Sequence, residues 1–576
     1  MSTAHTTRFV GACCLITALF LSRSSFADWI NLSGAETAEN IAEITILDDR
    51  VEIALEIYLD DVDAFERGGA PQDFALQVIA DGVAVEPKVT IRERRTRIDR
   101  ISPYAGMINP QTRQRIPGPP EDKRVHYVQL EYAFAGRPDQ LTFIPPFDAD
   151  GNAAVTIGFL AYHKAAPIVD FRYLSQAETV VLDWDDPWFS SFENINLTRH
   201  HRWPLMSFLY VEPRQVRHEV LMRVRDLMEW AEIPRDGREL LSDEEKARLK
   251  SVAQEFFDDR NPLMIDGVLS ERSTSRAEFL RISPTGLQVI EGTDPVDVSA
   301  AIMGVIQSHW IESLPQNVSV RWELFDEQNE TIPITVSDPA GPFPGFITRD
   351  DPMIEWQNFL KSYNEPEISP VIVDDGRFLR LPVLAVLLLG LSIAAAALTR
   401  RQTRLSKRGW IAVSAACAVA ALASIRVAIV EIPNPLAGSP DENTAAKVVT
   451  GVLNNVNAAF VEANPQALDR VLLGIVAGNE LASVEAELKR AFAIPVTGGG
   501  VATVNGIENL QITNITSLDG VDGFRVLASW TAKATGRHWG HVDLRDIRFR
   551  ALMEFGLVDG AWRLAGLTVV DAQPVN

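Results

Sequence analysis

Between Ile41 and Ile144 apolar and polar residues alternate in short runs separated by turn residues, as in Val51-Glu52-Ile53-Ala54-Leu55-Glu56-Ile57 and Val128-Gln129-Leu130-Glu131-Tyr132. A side-chain period of two puts one face of each run in a core and the other in water, so these runs predict antiparallel strands, and their succession predicts a β-sandwich. The segment Ile116-Pro117-Gly118-Pro119-Pro120 predicts a loop between them. Near residue 214 the period lengthens: Val216, Val220, Leu221, Val224, Leu227 and Met228 share one helical face. A second helix is expected from Ser242, where Ser242 and Glu245 have capping-box spacing and Leu249, Val252, Ala253, Phe256 and Phe257 supply the apolar stripe. Alternation returns at Val318-Ser319-Val320-Arg321-Trp322-Glu323-Leu324. The expected layout is a β-rich domain over 28–212, a helical pair over 213–262 and a second β subdomain over 263–370.

Three longer apolar runs break this pattern. The first 27 residues carry Arg8, an apolar stretch from Phe9 to Leu21 and then Ser25-Phe26-Ala27, the order of a signal peptide cleaved after Ala27. Leu381 to Thr399 holds no formal charge, and at about 1.5 Å per residue it approaches the ~30 Å apolar thickness of a bilayer. A second run, Gly409 to Val430, is broken only by Arg426. The pattern predicts a two-helix transmembrane hairpin, 381–399 and 409–430. Five of the nine residues joining the helices (400–408) are basic, which predicts that this loop is cytoplasmic and both flanking domains extracytoplasmic, at a bacterial inner membrane. Arg426, about one turn from the outer end, would snorkel to the headgroups or pair with an acidic group on a partner.

Past the Pro-rich exit at Pro433, Pro435 and Pro440, the residues Val448, Val449, Val452, Leu453, Val456, Ala459 and Phe460 recur at helical spacing. Another helix is expected over Leu481 to Phe492. Alternating strands follow at Phe524–Ala534, Ile547–Phe555 and Trp562–Val570, with Val558-Asp559-Gly560 as the last hairpin turn. Helices first and sheet after make an α+β domain over 440–576. The amphipathic helix Lys447 to Ala463 and the closing strand pair with Gly560-Ala561-Trp562-Arg563-Leu564 resemble the nuclear-transport-factor-2-like superfamily. That resemblance covers this quarter of the chain only. It implies a cone-shaped domain with a pocket between sheet and helices, and it carries over no catalytic residue, because the superfamily holds enzymes and binding modules alike.

The formal charge of −23 argues against a nucleic-acid partner, which needs clustered Lys and Arg. Cys13, Cys14 and Cys417 all sit in apolar runs, so Cys-ligated zinc and disulfides are excluded from the folded domains. Asp148, Asp150 and Asn152 begin like a calcium loop, but Gly151 is misplaced and Phe159 stands where a bidentate Glu is required, so a turn is expected. His218-Glu219 starts like a zinc-protease helix, yet Met222 replaces the second His, leaving an expected helical surface pair. Asp183, Asp185 and Asp186 with His200 and His201 are either metal ligands or a solvated loop, and the flanking Trp184, Trp188 and Trp203 either pack there or form a recognition patch. The string Gly536-Arg537-His538-Trp539-Gly540-His541-Val542-Asp543 offers His538, His541, Asp543 and Asp546 as metal ligands or an acid/base pair. In a regular strand His538 and His541 would point to opposite faces. No phosphate loop, dinucleotide fingerprint, complete His-Glu-x-x-His or Gly-x-Ser-x-Gly occurs, and no motif names a cofactor. The leading expectation is a membrane-anchored accessory or scaffold protein that binds the lipid bilayer and an envelope protein partner. The alternatives are a solute-binding or sensing role for the C-terminal pocket and a metal-dependent enzyme using the His538/His541 loop.

Overall fold

The computed structural model describes residues 33–575 apart from 67–73, 101, 103, 111, 235–236, 258–259, 284–285, 374–377, 400–405, 434–438, 478–479, 493, 497–499 and 519–521. The expected leader over 1–27 lies outside the described residues. Strands take up 44% of the described residues and helices 21%, so the fold is mostly β. The chain divides into two units: one runs to Glu365 and also takes in Pro495–Gly500 and Gly536–Asp543, and the other holds Pro366–Ile494, Val501–Thr535 and Leu544–Asn576.

The first unit contains two sandwiches. In the first, a six-stranded sheet is built on Asn40–Ile46, Arg50–Tyr58 and Arg124–Ala133, and it faces a five-stranded sheet built on Gln140–Ile144 and Glu178–Val181. The alternating inward residues Val51, Ile53, Leu55 and Ile57 meet Val78, Leu141, Phe143 and Val180 in one core. Period-two patterning was a sound guide in Arg50–Tyr58 and Arg124–Ala133, where buried residues largely alternate with partly exposed ones.

The second sandwich has a seven-stranded sheet. Its labelled strands are β1 (Leu205–Glu212), β2 (Gln215–Arg223), β3 (Thr274–Ser283), β4 (Ile302–Trp310), β5 (Thr331–Asp338) and β6 (Gly341–Thr348). The spatial order is Gly286–Val289, β3, β4, β2, β1, β5, β6, which leaves β6 at an edge, with Pro342 and Pro344 in it. The expected helix over Val216–Met228 is corrected by the structure: 215–223 is the central strand β2, and only Val224–Trp230 is helical. A central strand covered on both faces buries nearly every residue, so its apolar positions lose the period of two and imitate a helical stripe. The second expected helix forms as α1 (Asp243–Phe256), and its capping box is complete: Ser242 Oγ accepts from Glu245 N–H, and the Glu245 carboxylate accepts from Ser242 N–H at 2.7 Å.

In the second unit the two apolar runs give α2 (Val383–Leu398) and α3 (Lys407–Ala423). These hold 16 and 17 residues, about 24 and 26 Å of helix against a ~30 Å bilayer core. Among the described residues no helix is long and apolar enough to cross a membrane, so the expected transmembrane hairpin is overturned. The outer residues of each run join a β-ribbon instead: Phe378–Pro382 pairs with Ile429–Pro433, with Leu381 opposite Val430 and Pro382 opposite Ile429. Pro382 stands at the start of α2, and a turn over 424–427 ends α3. The deduction that the 400–408 loop is cytoplasmic loses its basis with the spans. Ser392 and Ser414 hydrogen-bond across the two helices, between small residues such as Ala385, Ala395 and Ala421 that are buried there. Further on, α4 (Glu442–Ala459) lays Val448, Val449, Val452, Leu453 and Val456 on a sheet that includes β7 (Gly523–His538), β8 (His541–Val558) and β9 (Ala561–Pro574). Trp530, Phe549, Phe555 and Trp562 supply that sheet's inner face.

Candidate functional site: a tryptophan-tipped turn

The faces of the seven-stranded sheet divide the side chains of β1 and β2 by parity. Leu205, Leu209 and Val211 of β1, with Val216, Val220 and Met222 of β2, enter the sandwich core. The intervening residues Phe208, Tyr210 and Leu221 form a separate cluster on the opposite face with Leu280, Ile282, Ile302, Ile306 and Trp188. Arg217, Glu219 and Arg223 share the parity of Leu221, so β2 carries charges onto this second face. Tyr210 pairs across the ladder with Arg217, and Phe208 with Glu219.

The last member of the cluster is Trp539, 1% exposed, from the tip over Gly536–Asp543. Trp539 and Gly540 form a two-residue turn with φ of 50° and 81°, positive at both positions as a type I′ hairpin turn requires. Three other turns here have the same signs at Asp81-Gly82, Asp266-Gly267 and Asp559-Gly560. Asp tolerates the left-handed region because its short side chain bonds locally, whereas a bulky indole is strained there. The strain, on the order of 1–3 kcal/mol, persists only where surrounding contacts fix it.

Those contacts are present. The Trp539 N–H donates to Glu219 Oε2 at 2.6 Å, and the Gly540 N–H to the Tyr210 hydroxyl at 2.9 Å. Arg217 donates to the Arg537 carbonyl, packs over the Tyr210 ring at 4.5 Å and places Nε 2.9 Å from Glu219 Oε1. Gly304 on β4 makes the slot for the indole, since a Cβ there would lie 2.5 Å from Trp539 Cη2. Gly540 is needed twice, for its left-handed φ and because a Cβ would sit 2.4 Å from Phe208 Cε1. Burial pushes the Glu219 carboxyl up to about 7 against the pull of Arg217 and the Trp539 N–H, and pushes the Tyr210 phenol well above its ordinary value.

Other sequence candidates fare differently. His538 is buried within the tip, and the side chains of His541 and Asp543 lie outside the described residues. Among the described residues no group of three or more His, Cys, Asp and Glu is placed to hold a metal. His218 and Glu219 are core residues of a strand, not a helical surface pair: His218 Nε2 and Ser207 Oγ are 2.9 Å apart, and burial pulls its imidazole down to about 3. The Asp183 cluster separates. Asp183 accepts from the backbone of Asp185 and Asp186, and buried Asp186 pairs with Arg223 at 2.8 Å, while His200 bonds Asp170 at 2.8 Å. The three tryptophans do not form one patch. Trp188 is buried, Trp184 donates to the Pro138 carbonyl, and Trp203 lies 6.0 Å from Phe346 beside Arg202. Arg426 is exposed in the turn after α3. Asp148 accepts from the N–H groups of Asp150 and Asn152, as a turn residue does. An apolar cleft of about 430 Å³ lies among Tyr162, Pro167, Arg281, Ile290 and Asp297.

Sequence reasoning passed over Tyr210 and Gly304 and assigned Glu219 to a helical surface pair. The available signal was the dipeptide Trp-Gly standing between two long alternating runs where the other I′ turns carry Asp-Gly.

No protein-family model matches the chain, and no curated protein matches it. Among solved structures, the full-length RrgB pilus protein from Streptococcus pneumoniae aligns over 70% of this chain and 86% of its own at 10% identity. The TM-score of that alignment is 0.08, far below the level at which two folds correspond.

Proposed function

We propose that this protein is an accessory or scaffold protein held at a lipid surface by the α2–α3 hairpin, presenting its β domains to a protein partner. The observation that supports the reading is the exposure of the hairpin's apolar side chains: Leu387 is 61% exposed, Ile393 64%, Val419 67% and Leu422 71%. Patches of this kind on folded proteins mark contact sites, and each such side chain removed from water contributes about 1.5–3 kcal/mol. The five basic residues of 400–408 lie between the two helices in sequence, in a chain of net charge −23, which suits contact with anionic lipid headgroups. The reading requires burial of the hairpin in the lipid surface and no crossing of it.

Flotation with lipid vesicles tests it. The full chain should float with vesicles containing anionic phospholipid, and the double variant Leu387→Asp/Leu391→Asp should remain at the bottom of the gradient. A wild-type chain that stays with the soluble fraction would refute lipid attachment. Purification of the full chain from its own membranes tests the scaffold half, which requires a stoichiometric protein companion.

A further inference from the structure

We propose that the seat of Trp539 is a proton-controlled latch: the 536–543 tip is held tightly when Glu219 carries a proton and loosens when Glu219 is charged. This inference is independent of lipid attachment. Its basis is the arrangement around one fully buried carboxyl. Glu219 faces Arg217 on its own strand, Tyr210 and Glu212 on β1, Arg276 on β3 and the Trp539 N–H of the tip, while its ladder partner on β4 is the apolar Ile306. Arg217 is the cation in contact, and two carboxylates share it, at 2.9 Å from Glu219 and 3.9 Å from Glu212. The Glu212 side chain is 25% exposed, whereas Glu219 is 0% exposed, and that burial favours the protonated form of Glu219.

The tip is part of what dries this carboxyl. Its indole fills the slot above Gly304, and its backbone covers Glu219 and Tyr210. With the tip out, water reaches the slot and the carboxyl returns toward its ordinary value. Proton affinity is then higher with the tip seated than with it released, and by linkage a proton favours seating. A raised seated value means that the advantage is full in acid and is lost as pH rises from about 4.5 to about 7. Release frees a strained Trp-Gly turn and uncovers Phe208 and Tyr210.

Hydrogen–deuterium exchange of the full-length protein, read on peptides spanning 536–543 across pH 5 to 8.5 and corrected for intrinsic exchange, tests the latch. Peptides from Arg50–Tyr58 serve as the internal reference. Protection of the tip should fall about a hundredfold from pH 5 to pH 8, since each unit of pKa difference is worth tenfold. In Glu219→Gln it should not change with pH. Glu212→Gln keeps the titrating group and removes the like charge beside it, so it should move the midpoint to lower pH. Tip protection that is level with pH in the wild type, an unaltered decline in Glu219→Gln, or an unmoved midpoint in Glu212→Gln would each overturn the proposal. Should Glu219→Gln lose protection in the reference peptides, the Glu212→Gln midpoint decides.

Discussion

Gly304 and Trp539 occupy one space, and a double-mutant cycle measures it. A methyl group at 304 would lie 2.5 and 2.7 Å from two indole carbons and 2.8 Å from Leu280 Cδ1, all inside contact distance. Leu280 can turn its side-chain end away, but the indole is pinned by its backbone bonds to Glu219 and Tyr210. Gly304→Ala should therefore carry the cost of an overpacked core, about 1–3 kcal/mol. Trp539→Ala deletes a fully buried indole, for which about 3–5 kcal/mol is expected, less whatever left-handed strain the turn sheds. In the double variant the new methyl points into vacated space, so Gly304→Ala should cost almost nothing in the Trp539→Ala background. The coupling between the two sites is then about 1–3 kcal/mol, well above the scatter of independent sites. Opening free energies from native-state hydrogen exchange on peptides of β1, β2 and β4 would report it locally. Costs that add to within about 0.5 kcal/mol would refute the claim that Gly304 exists to admit the indole.

Two further outcomes follow from buried charge. Arg223, 3% exposed, bonds Asp186 at 2.8 Å and Asp226 at 2.7 Å, so Arg223→Ala takes the cation in hydrogen-bond contact from buried Asp226 and leaves buried Asp186 only Arg225 at 3.5 Å, and it should cost about 3–5 kcal/mol in urea unfolding. Arg223→Lys should recover little, because an ammonium cannot serve both partners with a guanidinium fork, and full recovery would count against this account. Burial holds His218 near 3 and His163 near 4, against an ordinary value of 6.5. Depressed folded values mean that the unfolded chain takes up the protons, so first-unit stability should fall as pH drops from about 6.5 toward 4, by about 1.4 kcal/mol per pH unit per histidine. Glu219 works in the opposite sense, so the acid loss should steepen in Glu219→Gln, and a loss that becomes shallower there would contradict the assignment.

The legible parts of the chain were those where one face is wet. The strands over Val51–Ile57 and Val128–Tyr132, the Ser242 capping box, the apolar stripe of α4 and the Asp559-Gly560 turn follow directly from local pattern. Pattern failed where both faces are covered, and β2 shows why: with neighbours on each side and a core on each face, its residues satisfy several periods at once. It failed again at the apolar runs, because hydropathy alone does not show that Leu381 and Val430 pair in a ribbon and leave the helices short. The tip was singled out for its histidines, yet its tryptophan, the backbone N–H groups and a glycine more than 200 positions away define the seat. Such a partnership between distant residues leaves no mark on local composition.

The edge strand β6 bears on how this molecule avoids joining others. A sheet border exposes a row of N–H and C=O groups that a stray strand can copy, the first step of fibrous aggregation. Pro342 and Pro344 stand two residues apart in β6, and proline has no N–H to offer at the solvent side of an edge. Phe343 and Phe346, 53% and 62% exposed, remain adhesive through their rings alone. Backbone pairing at this border is therefore weakened at 342 and 344, where an approaching strand finds a C=O acceptor but no N–H donor.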